Sequence, residues 1–130
     1  MNRPRGIHHA ALTVTDLDRS VRWYQDVLGC EEVFSEAGIE RRATIVGFRP
    51  SRPLIALVEH RPARGGFEPR NVGLDHLALT VGTREDLDAW ATHLTARGVE
   101  HSGVIDVGLG AILNFKDPDG IALALFWDRP

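Results

Sequence analysis

The chain has 130 residues, of which 43% are hydrophobic and 25% are charged. This length and composition are typical of one globular domain with a buried core, and they exclude a disordered or membrane-embedded chain. The formal net charge of −3, from 15 basic and 18 acidic residues, leaves no excess of basic charge for a nucleic-acid-binding surface.

The N-terminus and the single cysteine indicate where the protein works. Residues 1–6 contain no apolar signal-peptide core, and no stretch approaches the ~18 consecutive apolar residues that span a membrane. Cys30 cannot form a disulfide within the chain, which favours a reducing compartment. We therefore expect a cytoplasmic protein that binds neither membrane nor nucleic acid. Glu31 and Glu32 should raise the pKa of the Cys30 thiol, which argues against a nucleophile.

The first predicted element is a strand over 9–14, because polar and apolar residues alternate there. Thr15 and Asp18 resemble a capping box, so a helix should follow and end at Gly29. Its apolar stripe predicts one face turned to a sheet. That stripe consists of Leu17, Val21, Tyr24 and Leu28. Three further strands are predicted around 31–35, 40–48 and 54–59.

The same order then repeats. Residues 61–73 are rich in Arg, Pro and Gly and predict a surface linker. A second strand–helix pair follows at 76–81 and after Thr83, and Gly98 should end its helix. Strands are predicted around 101–107, 111–115 and 121–127. The sequence thus predicts one domain, 1–130, built from module 1 (about 5–60), the linker (61–73) and module 2 (about 74–130), each with a βαβββ order.

Alternation along the strands assigns the side chains to two faces. The larger apolar residues should pack beneath the helices, for example Leu12, Leu57 and Leu125. His9, Thr13 and Ala56 then share the other face in module 1, and His76, Thr80 and Ala124 do so in module 2. Small residues there would leave room for a ligand pocket. The alternative is that large side chains from elsewhere fill this space.

Three segments together carry a resemblance to a known family. They are 9–29, 73–81, and 115–120 with the apolar strand that follows. They resemble the two module openings and the closing turn of the glyoxalase / bleomycin-resistance / extradiol-dioxygenase (vicinal oxygen chelate) superfamily. The resemblance implies an α+β fold in which two βαβββ modules form a cupped, eight-stranded mixed sheet with the helices outside. It also implies a homodimer.

The resemblance also implies a metal site, from which this chain departs. Superfamily members often hold a metal in the cup through His and Glu residues of the first and last strands. His9 and His76 fall on the His positions, and His8 should face away. The two acidic positions fall on Ala56 and Ala124, which cannot bind a metal.

Two interpretations of the site follow. In the first, the cup binds a small organic ligand without metal. Its pocket residues would be Ala56, His60, Thr13, Thr80, Asn114 and Ala124. In the second, the protein is a lyase, isomerase, thiol transferase or ring-cleaving dioxygenase that uses a divalent metal (Zn, Ni, Mn or Fe). That enzyme would need a replacement third ligand, from His60 or from a partner chain. His9 and His76 could also act as acid/base groups or as hydrogen-bonding groups of the pocket.

Overall fold

Eight strands and two helices follow one another as strand, helix and three strands, twice. The structure, a computed structural model, describes residues 1–130 as two units, Met1–Gly65 and Gly66–Pro130. Their boundary lies inside the segment 61–73 that the sequence predicts to be a linker. The first unit contains β1 (His9–Thr13), α1 (Leu17–Leu28), β2 (Glu31–Ala37), β3 (Arg41–Gly47) and β4 (Leu54–His60). The second contains β5 (Leu77–Thr80), α2 (Arg84–Ala96), β6 (His101–Val107), β7 (Gly110–Lys116) and β8 (Ala122–Asp128).

Each unit has one four-stranded mixed sheet. The strand orders are β1-β4-β3-β2 and β5-β8-β7-β6, so the two units share one topology. The pairs β1–β4 and β5–β8, at one edge of each sheet, are parallel, and the remaining pairs are antiparallel. The α+β class and the eight strands of the sequence prediction are confirmed. Hydrogen bonds group these strands into two sheets of four, whereas the resemblance led us to expect one sheet of eight.

Helix α1 begins one residue later than its sequence pattern suggests. The N-cap is Asp16, whose side chain accepts a hydrogen bond of 3.1 Å from the Arg19 N–H. Thr15 is therefore not the cap, because a carboxylate at the next residue satisfies the free N–H groups of the first turn. The predicted end is confirmed: Gly29 adopts φ 74°, the left-handed conformation that closes a helix.

Helix α2 begins as the sequence predicts. Thr83 is the N-cap, and its hydroxyl accepts a hydrogen bond from the Asp86 N–H while the Asp86 carboxylate accepts one from the Thr83 N–H. This reciprocal pair is a capping box with Asp in place of Glu. Gly98 follows the helix at φ 71°. With 12 and 13 residues, neither helix is long and apolar enough to cross a membrane.

The core of each unit lies between its helix and one face of its sheet. Tyr24 and Leu57 are fully buried in unit 1, as are Leu87 and Leu113 in unit 2. The alternation that placed large apolar side chains beneath the helices therefore predicts the core correctly. We call the opposite side of each sheet its open face, and the candidate site residues that lie within strands are on that side.

Candidate functional site

On the open face of unit 1, residues that are paired across neighbouring strands form successive levels along the sheet. His9 pairs with Leu54, Ala11 with Ala56, and Thr13 with Val58. His9, Ala11 and Thr13 on the edge strand are exposed. The sequence therefore assigned these side chains to the correct face.

The centre of this face is apolar and packed. Ala56 is only 7% exposed and forms a cluster with Ala43 and Val58, against which Ile45 packs. At the first level, the Leu54 side chain lies across Gly47, where an added Cβ would lie 2.5 Å from its Cδ2 atom. The small residue at position 56 therefore does not open a hollow within unit 1, because neighbouring side chains occupy the space.

His9 contacts the neighbour that was expected to face away. The Nδ1 atoms of His8 and His9 lie 3.0 Å apart, and the two rings meet edge to face. The alternation that separates adjacent side chains holds only inside a strand, and β1 begins at His9. His8 is therefore free of that constraint, and both rings are exposed.

His60 lies on the same face as His9 but at its other end. Register pairs Leu54 with His9 and Arg41 with His60. The two histidines are thus separated by the length of β4, about 20 Å at ~3.3 Å per residue. His60 cannot join His9 as a metal ligand within this unit. The Arg41 guanidinium beside it lies 3.8 Å from the Glu36 carboxylate, at the exposed end of the sheet.

Glu59 belongs to the helix side, as its parity predicts. Its Oε2 atom accepts a hydrogen bond of 2.7 Å from Arg42 Nε and one of 3.3 Å from the Leu17 N–H at the start of α1. Arg42 also donates to Asp18, at 3.3 Å. The bonds to Glu59 and then to Asp18 raise the pKa of Arg42. This carboxylate is held in place at the helix end and is not available to the open face.

The open face of unit 2 carries different side chains at equivalent levels. Ala78 pairs with Ala124, and Ala124 pairs with Asn114 on β7. Asn114 and Ala78 are exposed, whereas Ala124 between them is fully buried. Thr80 is exposed one level further along. Three of the predicted pocket residues, Thr80, Asn114 and Ala124, are thus neighbours on this face.

His76 is held by the residue before it. Its Nδ1 atom lies 2.6 Å from Asp75 Oδ1. A carboxylate can only accept a hydrogen bond, so Nδ1 carries the proton and donates it. The other ring nitrogen, Nε2, is left to contact solvent or a ligand. Nothing in the alternating pattern predicts this contact, because Asp75 and His76 both precede β5, which begins at Leu77 and not at the predicted residue 76.

Lys116 is a residue of this face that the sequence analysis missed. It pairs with Ala122, one level before the Asn114–Ala124 pair, and is exposed. It is the only lysine in the chain, and its side chain forms no ion pair or hydrogen bond. Its parity with Asn114 could have placed it here, but it was considered only as part of the turn that follows.

Cys30 is a core residue. It is 5% exposed, and burial raises the pKa of its thiol from 9.0 to about 12. The expected direction of this change is confirmed, although its cause is loss of hydration rather than the charges of Glu31 and Glu32. A thiol with this pKa is protonated at neutral pH and is a poor nucleophile.

The four residues that the family resemblance places at metal-ligand positions include no carboxylate. His9 and His76 offer two imidazoles, and Ala56 and Ala124 offer methyl groups. Catalytic zinc sites use three protein ligands, and non-haem iron sites use two His and a carboxylate. Nowhere in either unit are three or more His, Cys, Asp or Glu side chains grouped so that they could hold a metal ion.

Known proteins with related sequences support the predicted family. Residues 6–125 match the family described as the Glyoxalase/Bleomycin resistance protein/Dioxygenase superfamily. Catechol-2,3-dioxygenase of Bacillus subtilis (strain 168) is 30% identical over 128 residues, which are 95% of this chain and 42% of that protein. The chain therefore spans less than half the length of this relative.

Solved structures with a similar fold agree with the predicted fold. A glyoxylase/bleomycin resistance protein/dioxygenase domain from Frankia sp. EAN1pec has a TM-score of 0.89 and 33% identity, covering 98% of this chain and 100% of that one. TnmS3, an antibiotic binding protein from Streptomyces sp. CB03234, has a TM-score of 0.80 over 99% and 100% of the two chains. Its identity is 20%, so this likeness shows the fold alone. The chain belongs to the glyoxalase/bleomycin resistance protein/dioxygenase superfamily.

Proposed function

We propose that this protein binds a small organic molecule on the open faces of its sheets and does so without a metal. The observation that carries the proposal is the pair of alanines, Ala56 and Ala124, at the two positions that the family resemblance assigns to metal-binding carboxylates. Alanine at these positions removes the negatively charged ligands that a divalent cation would need.

The similar proteins include a binding protein and enzymes by name. The choice between these two functions therefore rests on the residues of the site. A ring-cleaving dioxygenase or a lyase of this superfamily would use its metal as a Lewis acid on substrate oxygens. A binding protein needs only a surface of suitable shape and polarity. The exposed side chains of Ala78, Thr80, Asn114 and Lys116 on one sheet face support binding.

Metal titration tests the metal-free part of the proposal. Untagged protein should show no calorimetric binding of Zn²⁺, Ni²⁺, Mn²⁺ or Fe²⁺ at high micromolar concentration. Sub-micromolar binding by the unaltered chain, lost in His9→Ala and His76→Ala, would instead identify a metal-dependent enzyme.

Ligand titration tests the binding part. A neutral aromatic probe such as 2-naphthamide should shift the backbone amide resonances of Ala78, Thr80 and Asn114 in ¹⁵N-labelled protein. Binding should also raise the unfolding temperature as the probe concentration rises above its Kd. Resonance shifts confined to the helix side, or no shifts up to millimolar probe, would contradict the proposal.

We also propose that the protein is a cytoplasmic homodimer. β1 and β5 are edge strands with one hydrogen-bonded neighbour each, and an uncovered edge favours pairing with another chain. The single, buried cysteine suits a reducing compartment. Light scattering across a dilution series measures the mass in solution, and cell fractionation locates the protein. A monomer at all concentrations, or recovery outside the cytoplasm, would count against these proposals.

A further inference from the structure

The open face of unit 2 changes from charged to apolar along β7. Lys116 and Asn114 lie at its first two levels. At the third level, Ile112 pairs with Phe126 on one side and with Ile105 on the other. We call these five residues the β7 strip. Its levels are spaced two residues apart, so the strip is about 13 Å long from Lys116 to Ile112.

The charged end of the strip carries a cation without a partner. The Lys116 ammonium forms no ion pair, and the Asn114 amide beside it is exposed. Lys116 and the Asn114 NH₂ group therefore offer hydrogen-bond donors on one face, about 7 Å apart along the strand at ~3.3 Å per residue.

The apolar end of the strip is only partly covered. Ile105 is 43% exposed, and Ile112 and Phe126 beside it are half-buried. Three neighbouring strands thus present apolar side chains at one level. Such a surface gains free energy when an apolar group covers it, and the Phe126 ring can pack against another aromatic ring.

Unit 1 has apolar residues at the third level, Ala43 and Val58, but lacks the two polar levels and the exposed isoleucine. Register places Gly47 at the position equivalent to Lys116, Ile45 at that of Asn114, and Glu36 at that of Ile105. The Glu36 carboxylate, which lies 3.8 Å from the Arg41 guanidinium, offers no apolar surface at that level. The polar-to-apolar gradient is therefore a property of unit 2 and not a consequence of the fold.

We infer that the β7 strip binds an amphipathic organic anion, an aromatic carboxylate about as long as the strip. Its carboxylate contacts Lys116 and Asn114, and its ring lies on Ile112, Phe126 and Ile105. This inference rests on the proposed function and adds the ligand class and the residues that select it. Lys116 supplies the counter-charge, which a metal would supply in a metal-dependent relative.

Paired probes test the inference. 2-Naphthoate and its neutral analogue 2-naphthamide differ in charge at nearly constant shape. The unaltered protein should bind the carboxylate about tenfold more tightly than the amide, because hydrogen bonds to charged groups contribute more than neutral ones. The preference should shrink as salt is added. Equal affinities would overturn the inference and leave metal-free binding standing, whereas no binding of either probe would overturn both.

Variants of Lys116 test whether its positive charge selects the carboxylate probe. Lys116→Gln should lose the preference for naphthoate while keeping the affinity for naphthamide, and Lys116→Arg should retain most of it. Arg41→Gln is the matched control, because it removes an exposed cation from the open face of unit 1. An unchanged preference in Lys116→Gln, or a lost one in Arg41→Gln, would overturn the inference. In ¹³C-lysine-labelled protein the single lysine gives one ε-methylene signal, which naphthoate should shift and naphthamide should not.

Discussion

The two units have the same topology and differ in what their open faces present. Beneath the helices the units are alike, since Leu57 and its equivalent Leu125 are buried at the same position of the same strand. On the open faces, unit 1 places Ile45 over a packed apolar cluster, and unit 2 places Asn114 in solvent. The two units therefore share a buried leucine at this core position and differ on their open faces, where the exposed residues of unit 2 are accessible to a ligand.

The largest expected effect tests the similarity of the two cores. Leu57→Ala and Leu125→Ala should each lower the free energy of unfolding by about 2–5 kcal/mol, because each removes a buried side chain and leaves a cavity. Urea unfolding followed by circular dichroism measures both. Ala78→Ser on the exposed edge strand β5 serves as the control and should change stability by less than about 0.5 kcal/mol. A small effect at one leucine alone would show that the cores are built differently.

A second pair of variants tests a position where the two backbones differ. Gly110 and Arg41 begin β7 and β3. A Cβ atom at Gly110 would overlap the Trp127 carbonyl oxygen, so Gly110→Ala should destabilise the protein by about 1–3 kcal/mol. Arg41→Ala loses only an exposed ion pair with Glu36 and should cost about 0–1 kcal/mol. Thermal or urea unfolding that ranks the two variants in the opposite order would contradict the register described for β7 and β8.

Exchanging residues between the open faces tests their difference directly. Ile45→Asn places an amide against Ala43, Ala56 and Val58 and should cost about 1–3 kcal/mol. Asn114→Ile alters an exposed position and should change stability by about 0.5 kcal/mol or less. It should nevertheless weaken naphthoate binding, because it removes a hydrogen-bond donor. Unfolding and calorimetric titration of both variants measure these outcomes, and equal stability losses would show that the two faces are equally packed.

The helix starts should differ slightly. Thr83→Ala removes the hydroxyl that accepts from the Asp86 N–H, which is one half of the capping box of α2, and should cost about 1 kcal/mol. Asp16→Ala should cost less, about 0.5 kcal/mol, because the Glu59 carboxylate still accepts from the Leu17 N–H at the start of α1. Helical circular dichroism during urea unfolding gives both values. If Asp16→Ala is the more damaging change, the Glu59 contact does not stabilise the helix end.

The smallest effect appears only at alkaline pH and concerns Cys30, which follows Gly29 as Val99 follows Gly98 in unit 2. Burial raises the pKa of the Cys30 thiol from 9.0 to about 12. Between these values the unfolded chain loses the thiol proton and the folded chain keeps it, so stability falls as pH rises. The added slope should reach at most about 1.4 kcal/mol per pH unit.

The comparison of Cys30→Ala with the unaltered chain isolates this slope. The two proteins should show a constant difference in unfolding free energy below pH 9.0, where the thiol is protonated in both states. Above that pH, the alanine variant should lose stability less steeply. Parallel curves through the alkaline range would mean that the thiol ionises in the folded state as readily as in the unfolded one.

The alternation of side chains along each strand predicted which face a site residue occupies. The sequence did not predict how far apart these residues lie along the sheet. Assigning Ala56, Thr13 and His60 to one face required only the two-residue period of a strand, and the register bears this out. Placing His60 near His9 required knowledge of where each strand begins against its neighbour. Register comes from hydrogen bonds between distant segments, so the sequence did not reveal that the two side chains lie about 20 Å apart.

The alternating pattern also did not predict the contacts of residues that lie outside regular strands. His8 and Asp75 each precede a strand, and each touches the histidine that follows it. No periodicity governs such residues, so their partners depend on local backbone geometry. The burial of Ala56 and Ala124 was missed for another reason: a small side chain predicts room only when its neighbours on adjacent strands are known.

The amino-acid sequence predicts the repeated order of strand, helix and three strands, because alternation, helical stripes and capping residues depend only on a few neighbouring residues. The same pattern shows that Ala56 and Ala124 cannot bind a metal, since this depends on residue type alone. The meeting of Lys116, Asn114, Ile112, Phe126 and Ile105 on one face is decided by the pairing of β6, β7 and β8. Pairing brings together residues far apart in the chain, and that is why the polar-to-apolar strip emerges only in the folded unit.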